Sequence, residues 1–366
     1  MSAPIPLGMV GGGDGAFIGA IHRIAARMDG EFRLVAGALS SKPEKARASA
    51  EALGIERGYS DYCEMAQAEA ARPDGIRAVS VVTPNHLHAP VSIAFLEAGI
   101  NVICDKPLTA TQEDAAKLAD VVARSKARFF LTHNYCAHPM VREARAMVAD
   151  GAIGKLRLVQ AEYLQGWLSE DTRSKQADWR TDPAQSGAGA IGDIGTHAWQ
   201  LAEFVTGQTP ASLSADLSSM VAGRRVDDDA RIALRYDSGA KGGIWVSQVA
   251  AGQEGGLSLR LFGTEGSLEW RLQDAEALIV TAKDGQSQRL TRARDRSQSY
   301  RTPSGHPEGY LEAFANLYKD IAGVIRGDTT HLDRIPGIRD GLSGMAFIAA
   351  AQQSAANDGA WVKVAP

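Results

Sequence analysis

A glycine-rich turn set in an alternation of strands and helices constrains this chain more than any other feature. Apolar runs at 6–12, 32–41, 78–84, 101–107 and 127–135 are separated by helical stretches at 16–28, 43–54, 87–98 and 112–125. Strands alternating with helices of this length build βαβ units and a parallel sheet. Right-handed crossovers cover both of its faces, so the first third reads as an α/β, doubly wound domain. The turn "GMVGGGDGAFIGAIHR" (8–23) joins its first strand to its first helix. Gly11 and Gly13 fit the first two glycines of a dinucleotide-binding fingerprint, with Ala16 in third place. Bare backbone lets a pyrophosphate approach, and N–H groups at the helix start hold the anion. The loop is longer than the fingerprint, which adds Phe17, Ile18 and Gly19 as phosphate-side candidates. Placed first in a βαβ series, the cluster is a stronger signal than a lone glycine run.

The second strand should end in an acid if the adenosine ribose of NAD is held in the usual way. This chain has Ser40, Ser41 and Lys42 there. Hydroxyls and a cation tolerate a 2′-phosphate, so NAD and NADP both stay open. In an open parallel sheet, ligands bind beyond the carboxyl ends of the strands. Two such ends are "VVTPNHLH" (81–88), offering Thr83, Asn85 and His88, and "CDKP" (104–107), offering Asp105 and Lys106. A lysine closing a core strand is either part of a solvated turn or the edge of a ligand site. Lys106–Pro107 is a candidate for a cis peptide.

After about residue 150 the texture changes. Short strands at 155–167, 212–221, 230–237, 242–250, 257–263 and 266–272 follow one another across Gly, Asp and Ser turns. That spacing predicts a mostly antiparallel sheet, with helices over 188–206, 307–326 and 337–357. The segment 284–305, rich in Arg, Ser and Gln, reads as a mobile loop. In "GAGAIGDIGTHAWQLAEFVTG" (187–207), Asp193 and His197 lie four apart on one helical face. A histidine beside an acid suits removal of a hydroxyl proton. Alone, the pair would read as a charge near a helix start and a buried histidine. Gly189, Gly192 and Gly195 would let a flat ring approach the helix. A DxxxH pair can also bind a metal, but no third ligand is evident and none is expected.

Substrate-side candidates are Tyr135, with Asn134 and His138 beside it, and Tyr163, alternating with Gln165 and Trp167 along a strand. Trp179 and Arg180, with Lys175, precede the helix of His197, and His306 lies in a later loop. An indole offers a platform for the C–H face of a sugar, and the cations suit an anionic group.

Composition removes other classes of function. A net charge of −4 and 6% aromatic residues give no basic, aromatic surface for nucleic acid or an anionic membrane. Three cysteines, Cys63, Cys104 and Cys136, have no CxxC spacing and suggest neither a disulfide framework nor structural zinc. No run approaches the ~20 apolar residues of a membrane span, and "MSAPIPLGMVGGG" lacks the pattern of a signal peptide. The cytoplasm is the expected location.

"GMVGGG", "TPNHLH", "CDKPLT" and "GDIGTHA", in this order and at these separations, resemble the Gfo/Idh/MocA oxidoreductases over nearly the whole chain. The resemblance implies an N-terminal Rossmann domain, 1–133, and a C-terminal α/β domain, 134–366, whose mostly antiparallel open sheet mediates dimers or tetramers. It further implies NAD(P)-linked oxidation or reduction of sugars, inositols and related polyols, with NAD slightly favoured. Lys106 matches the lysine that contacts nicotinamide and substrate hydroxyl, Asp193 the substrate-binding aspartate and His197 the catalytic histidine. Asp105 stands where glutamate is commoner. Some relatives are NAD-dependent glycosidases that oxidise a sugar carbon transiently, which needs one more base, such as Tyr135, His138 or His306. A non-catalytic sensor sharing the fold has no use for Lys106, Asp193 and His197 together.

Overall fold

The computed structural model describes residues 3–294 and 299–364. The chain divides into two compact units, one of Met1–His133 with Phe314–Leu342, the other of Asn134–Ala313 with Ser343–Pro366. The sequence pointed to one change of domain after 133, with no return. The chain does return: Phe314–Leu342 belong with the first 133 residues.

In the first unit the order is β1 (Ile5–Gly11), α1 (Phe17–Met28), β2 (Phe32–Ala38), α2 (Pro43–Ala52), β3 (Arg57–Gly58), α3 (Tyr62–Ala70), β4 (Ala78–Val82), α4 (His88–Glu97), β5 (Asn101–Cys104), α5 (Gln112–Arg124) and β6 (Phe129–Leu131). All six strands are parallel, in the order β3-β2-β1-β4-β5-β6. This is the Rossmann arrangement, in which order reverses between β1 and β4. Every residue of the central strand β4, "AVSVV", is buried, as expected for a strand covered by helices on both faces. Helix α5 starts at Thr111, whose hydroxyl accepts the Asp114 N–H at 3.1 Å.

The returning segment explains its own presence. Tyr318 is 1% exposed, and its hydroxyl lies 2.8 Å from His22 Nδ1 and 2.7 Å from Ser80 Oγ. Both partners are fully buried and need a hydrogen bond. Its ring packs edge-on against Phe32 at 5.5 Å.

The second unit starts with α6 (Pro139–Ala149), β7 (Leu156–Leu164), α7 (Lys175–Arg180), α8 (Pro183–Ser186) and α9 (Thr196–Thr206). There follow β8 (Ser212–Ser218), β9 (Asp229–Arg235), β10 (Lys241–Ser247), β11 (Gly256–Gly263), β12 (Gly266–Arg271), β13 (Ala277–Ala282) and β14 (Ser287–Thr291). Two helices, α10 (Tyr310–Ile325) and α11 (Ile338–Ala356), carry the chain out of this unit and back, and β15 (Val362–Lys363) ends it. Nine strands form one sheet in the order β14-β13-β12-β11-β7-β10-β9-β8-β15. All its pairings are antiparallel except β7 with β10. Burial alternates along β9 and β11, the signature of a sheet covered on one face. Part of the expected loop 284–305 is therefore strand, β14. Residues 295–298 of it lie outside the described residues. No helix among the described residues is long and apolar enough to cross a membrane.

One contact fixes how α1 meets the glycine turn. Gly11 and Gly12 have φ of +80° and +71°, a region that favours glycine. Gly19 lies on the backbone of Gly12, so that a Cβ on Gly19 would overlap Gly12 Cα and crowd its carbonyl. Gly19, rather than Ala16, is therefore the glycine that seats the helix closely. Because the obstacle is backbone, Gly19→Ala should shift helix or loop and destabilise the protein by about 1–3 kcal/mol. Urea unfolding would check this; an unchanged midpoint would contradict it.

Candidate active site

In the first unit the candidate residues gather at the carboxyl ends of β1, β4 and β5. A Cβ at Gly13 would meet Leu39 O at 2.7 Å, and one at Gly11 would meet Val82 O at 2.8 Å and Thr83 Cγ2 at 2.9 Å. The turn is a cradle that side chains would fill. Helix α1 begins at Ala16 without a side-chain cap and has no acid in its first turn. These are the features an anionic pyrophosphate needs, so the residues present fit a dinucleotide. Phe17 is exposed and Ile18 half-buried at that helix start. After β2, Ser40 Oγ accepts the N–H of Lys42 at 3.2 Å, and Lys42 leads into α2.

Asp105 and Lys106 follow β5, and the Lys106–Pro107 peptide is cis. Burial would raise the Asp105 pKa. The neighbouring His22, together with Lys106 and Thr132, outweighs that and holds it well below the usual carboxylate range. Thr132 Oγ1 donates to Asp105 Oδ1 at 2.7 Å, and His22 Nε2 stands 3.7 Å from the same oxygen. His88, expected on the cofactor side, is instead buried between the two strand ends. Its Nδ1 lies 2.8 Å from Pro107 O and its Nε2 3.0 Å from Thr83 O. Both partners are carbonyls, whereas a neutral imidazole has one N–H. Burial nonetheless lowers its pKa, against the charge of Asp105 and the pull of both carbonyls. His88 thus ties Thr83 to Pro107. Asn85 is buried in the short turn after Pro84.

In the second unit, Asp193 and His197 sit on one helix, but its register is not regular. Ile191–Gly195 form a π turn that runs into α9. The Thr196 N–H donates to Ile191 O, five residues back, and its hydroxyl donates to Gly192 O at 2.9 Å. Threonine therefore supplies the bond that the wide turn takes from Gly192, and π turns of this kind are frequent at functional sites. Asp227 caps the start: its carboxylate accepts the N–H groups of Gly189 at 2.9 Å and Ile191 at 2.7 Å. The glycines expected to admit a flat ring are used for packing instead. A Cβ on Gly189 would overlap the Asp227 carbonyl, one on Gly192 would meet Ala188 at 2.9 Å, and one on Gly195 would meet Phe347 at 3.4 Å. Behind them Trp199 stacks on Phe347 at 4.6 Å and donates to Ser343 Oγ at 2.9 Å.

Asp193 Oδ2 accepts from Gln248 Nε2 at 2.8 Å and from Arg180 Nε at 3.2 Å. The Arg180 guanidinium lies 4.3 Å above the Trp179 ring. Tyr135 brings its ring to 4.8 Å from His197 and its hydroxyl to 2.6 Å from that of Tyr163. Burial raises both phenols: Tyr163 to about 12, and Tyr135 well above its ordinary value, with Tyr163 and Tyr310 adding to it. Six of the substrate-side candidates thus gather in two contacting sets around one helix, Asp193 with Arg180 and Trp179, and His197 with Tyr135 and Tyr163, and the Asp193 charge adds to the raised pKa of both phenols. His306 does not join them; its ring is exposed, with Nδ1 3.2 Å from Pro303 O. Strand β7 ends at Leu164, so Gln165 and Trp167 lie beyond it, joined by a 3.0 Å bond from Trp167 Nε1 to Gln165 Oε1. Gln248 and Asp227 were missed in the sequence. Gln248 follows an ordinary strand, and Asp227 is one of three successive acids that read as a turn.

Residues 5–133 match the oxidoreductase family with an NAD-binding Rossmann fold, and residues 141–269 match the GFO/IDH/MocA C-terminal domain. A crystal structure of an oxidoreductase from Sinorhizobium meliloti is 48% identical, with a TM-score of 0.91, covering 99% of this chain and all of that one. An inositol dehydrogenase homologue from Azotobacter vinelandii, solved with NADH and myo-inositol, is 36% identical, with a TM-score of 0.92 and coverage of 99% and 98%. Levoglucosan dehydrogenase from Pseudarthrobacter phenanthrenivorans is 31% identical over 77% of each chain.

Two further buried histidines make stability sensitive to acid. His138, stacked parallel to Tyr135, is pushed down to about 4 by burial first and by Arg142 second. His133 goes to about 3 through burial and the charge of Lys106, with Asp105 opposing. A lowered histidine pKa means that, below about 6.5, the unfolded chain gains protons that the folded one refuses. Stability should therefore fall from pH 6.5 toward 4. His138→Phe should remove about 2–3 kcal/mol of that loss at pH 4.5 and change little at pH 7.5. Urea midpoints at the two pH values check this; equal pH dependence in variant and parent would count against it.

Proposed function

The chain belongs to the Gfo/Idh/MocA family of oxidoreductases and carries an NAD-binding Rossmann domain; from that premise we propose that it is an NAD-linked dehydrogenase of a cyclic polyol, an inositol or a related sugar. The observation that carries the reading is the group around Asp193. A carboxylate clamped by Gln248 and Arg180 stands one turn from a histidine packed against the rings of Tyr135 and Tyr163, and the Trp179 indole lies under the Arg180 guanidinium. Its chemistry suits a ligand that presents several hydroxyls and an apolar ring face.

The roles follow from the groups. The Gly11–Gly13 turn and the start of α1, at Phe17 and Ile18, bind the pyrophosphate. Ser40, Ser41 and Lys42 take the adenosine ribose, and Thr83, Asn85 and Asp105 line the nicotinamide side. The bound nicotinamide supplies the acceptor, or on reversal the donor, of hydride. Lys106 binds the reacting hydroxyl through its ammonium. Asp193 accepts a hydrogen bond from a substrate hydroxyl, its own orientation fixed by two donors. His197 takes the hydroxyl proton, an exchange for which imidazole is suited near neutral pH. Tyr135 and Tyr163 remain neutral phenols that hydrogen-bond the substrate, while Trp179 and Arg180 meet its ring face and edge.

What supports net oxidation over the glycosidase path is the lack of a poised extra base among its three candidates. Tyr135 is a buried phenol well above its ordinary pKa, His138 is buried and a weak base with its pKa pushed down to about 4, and His306 faces solvent. Exposed Leu158, Phe262 and Trp361 in the second unit favour a homodimer or homotetramer, and three free cysteines suit the cytoplasm.

The test is NAD+ reduction across a panel of inositols, anhydrosugars and aldoses, with parallel trials of NADP+. Polyol-dependent NADH formation is expected; hydrolysis of a glycoside without net NADH would establish the other path. Lys106→Ala and His197→Ala should each lower turnover by about 10²–10⁴-fold, with NAD+ binding largely kept. Normal turnover in either variant would sink the assignment.

A further inference from the structure

Arg23 belongs to the second turn of α1, four residues after Gly19 and so on the same face. The close seating of Gly19 on Gly12 brings that face under the glycine turn. There Arg23 Nη1 donates to Gly12 O at 2.7 Å and stands 3.7 Å from Met9 Sδ. The side chain is half-buried, and among the described residues no carboxylate pairs with it.

We propose that Arg23 is a positioning residue of the dinucleotide site, which holds the Gly12 carbonyl inward and so turns the Gly13 N–H toward the pyrophosphate. The proposal rests on the NAD-binding reading of the first unit. A trans peptide is planar, and its C=O and N–H point in opposite directions. Fixing Gly12 O against the guanidinium therefore aims the N–H of Gly13 the other way. The next carbonyl, Gly13 O, is taken by the Ala16 N–H at 3.1 Å. Both oxygens that would repel a phosphate are thus engaged, one by the Arg23 guanidinium and the other by the Ala16 N–H. The guanidinium also places an uncompensated positive charge one residue behind the anion, where partial burial weakens solvent screening. A side chain with neither a donor nor a charge would supply neither effect.

The test uses the intact protein, with NAD+, ADP-ribose and adenosine as probes, calorimetry for the first two and saturation-transfer NMR for the third. Arg23→Ala should weaken NAD+ and ADP-ribose by about 10–100-fold and leave adenosine, which has no phosphate, within twofold. Arg23→Lys should recover part of the loss, since it restores a point charge without the planar fork. The parent's advantage should shrink as salt rises. NAD+ binding within twofold of the parent in Arg23→Ala would overturn the proposal. So would equal weakening of adenosine, which would mark a general loss of structure. If Arg23→Ala does not fold, the Arg23→Lys and Arg23→Gln pair decides in the same way, the lysine being expected to bind the more tightly. Failure of the parent itself to bind NAD+ or ADP-ribose would reject the cofactor reading and this inference with it.

Discussion

Where Gly19 lies on Gly12, helix and loop meet backbone to backbone, and much of the first unit follows from that contact. Burying two backbones without a side chain between them is possible only if their polar groups are satisfied elsewhere. The turn meets this condition by giving one carbonyl to Arg23 and the next to Ala16. The same seating brings His22 inward, where Tyr318 and Asp105 surround it. Arg23 hydrogen-bonds the helix to the loop, and His22 on the same helix sets an imidazole beside the carboxylate that follows β5.

The second unit solves a comparable problem with different means. Its functional helix begins in a π turn, an irregular start that leaves backbone groups to be satisfied locally. Asp227 takes two N–H groups, and Thr196 returns a donor to Gly192 O. The opposite side is anchored by Trp199 on Phe347. Within this start of the helix, the Asp193 carboxylate is held by two donors, Gln248 and Arg180.

Most strands of both sheets could be read from the chain because their signals are local, whereas β3, β13, β14 and β15 could not. Strand–helix alternation, a glycine turn and a lysine before proline each span a few residues. So do Asp193 and His197. What escaped was set by distance along the chain. Gln248 meets Asp193 across 55 residues, and Tyr318 meets His22 across 296, and no periodicity reports either pairing. The four-residue spacing of Asp193 and His197 suggested one regular face, but the hydroxyl of Thr196 made a wider turn affordable. His88 looked like a surface ligand in a polar motif; two carbonyls draw it into the interior.

The return of Phe314–Leu342 to the first unit has a consequence for biosynthesis. The parallel sheet is encoded by the first 133 residues, yet its buried His22 and Ser80 must wait for Tyr318 until all of 134–313 has been made. At about 5–20 residues per second, that wait is on the order of tens of seconds on the ribosome. During it a nascent sheet of this kind keeps polar groups unsatisfied and an apolar surface uncovered. Domain-by-domain folding, the usual order for chains this long, is thus closed to the first unit, whose native state is completed only after most of the second has emerged.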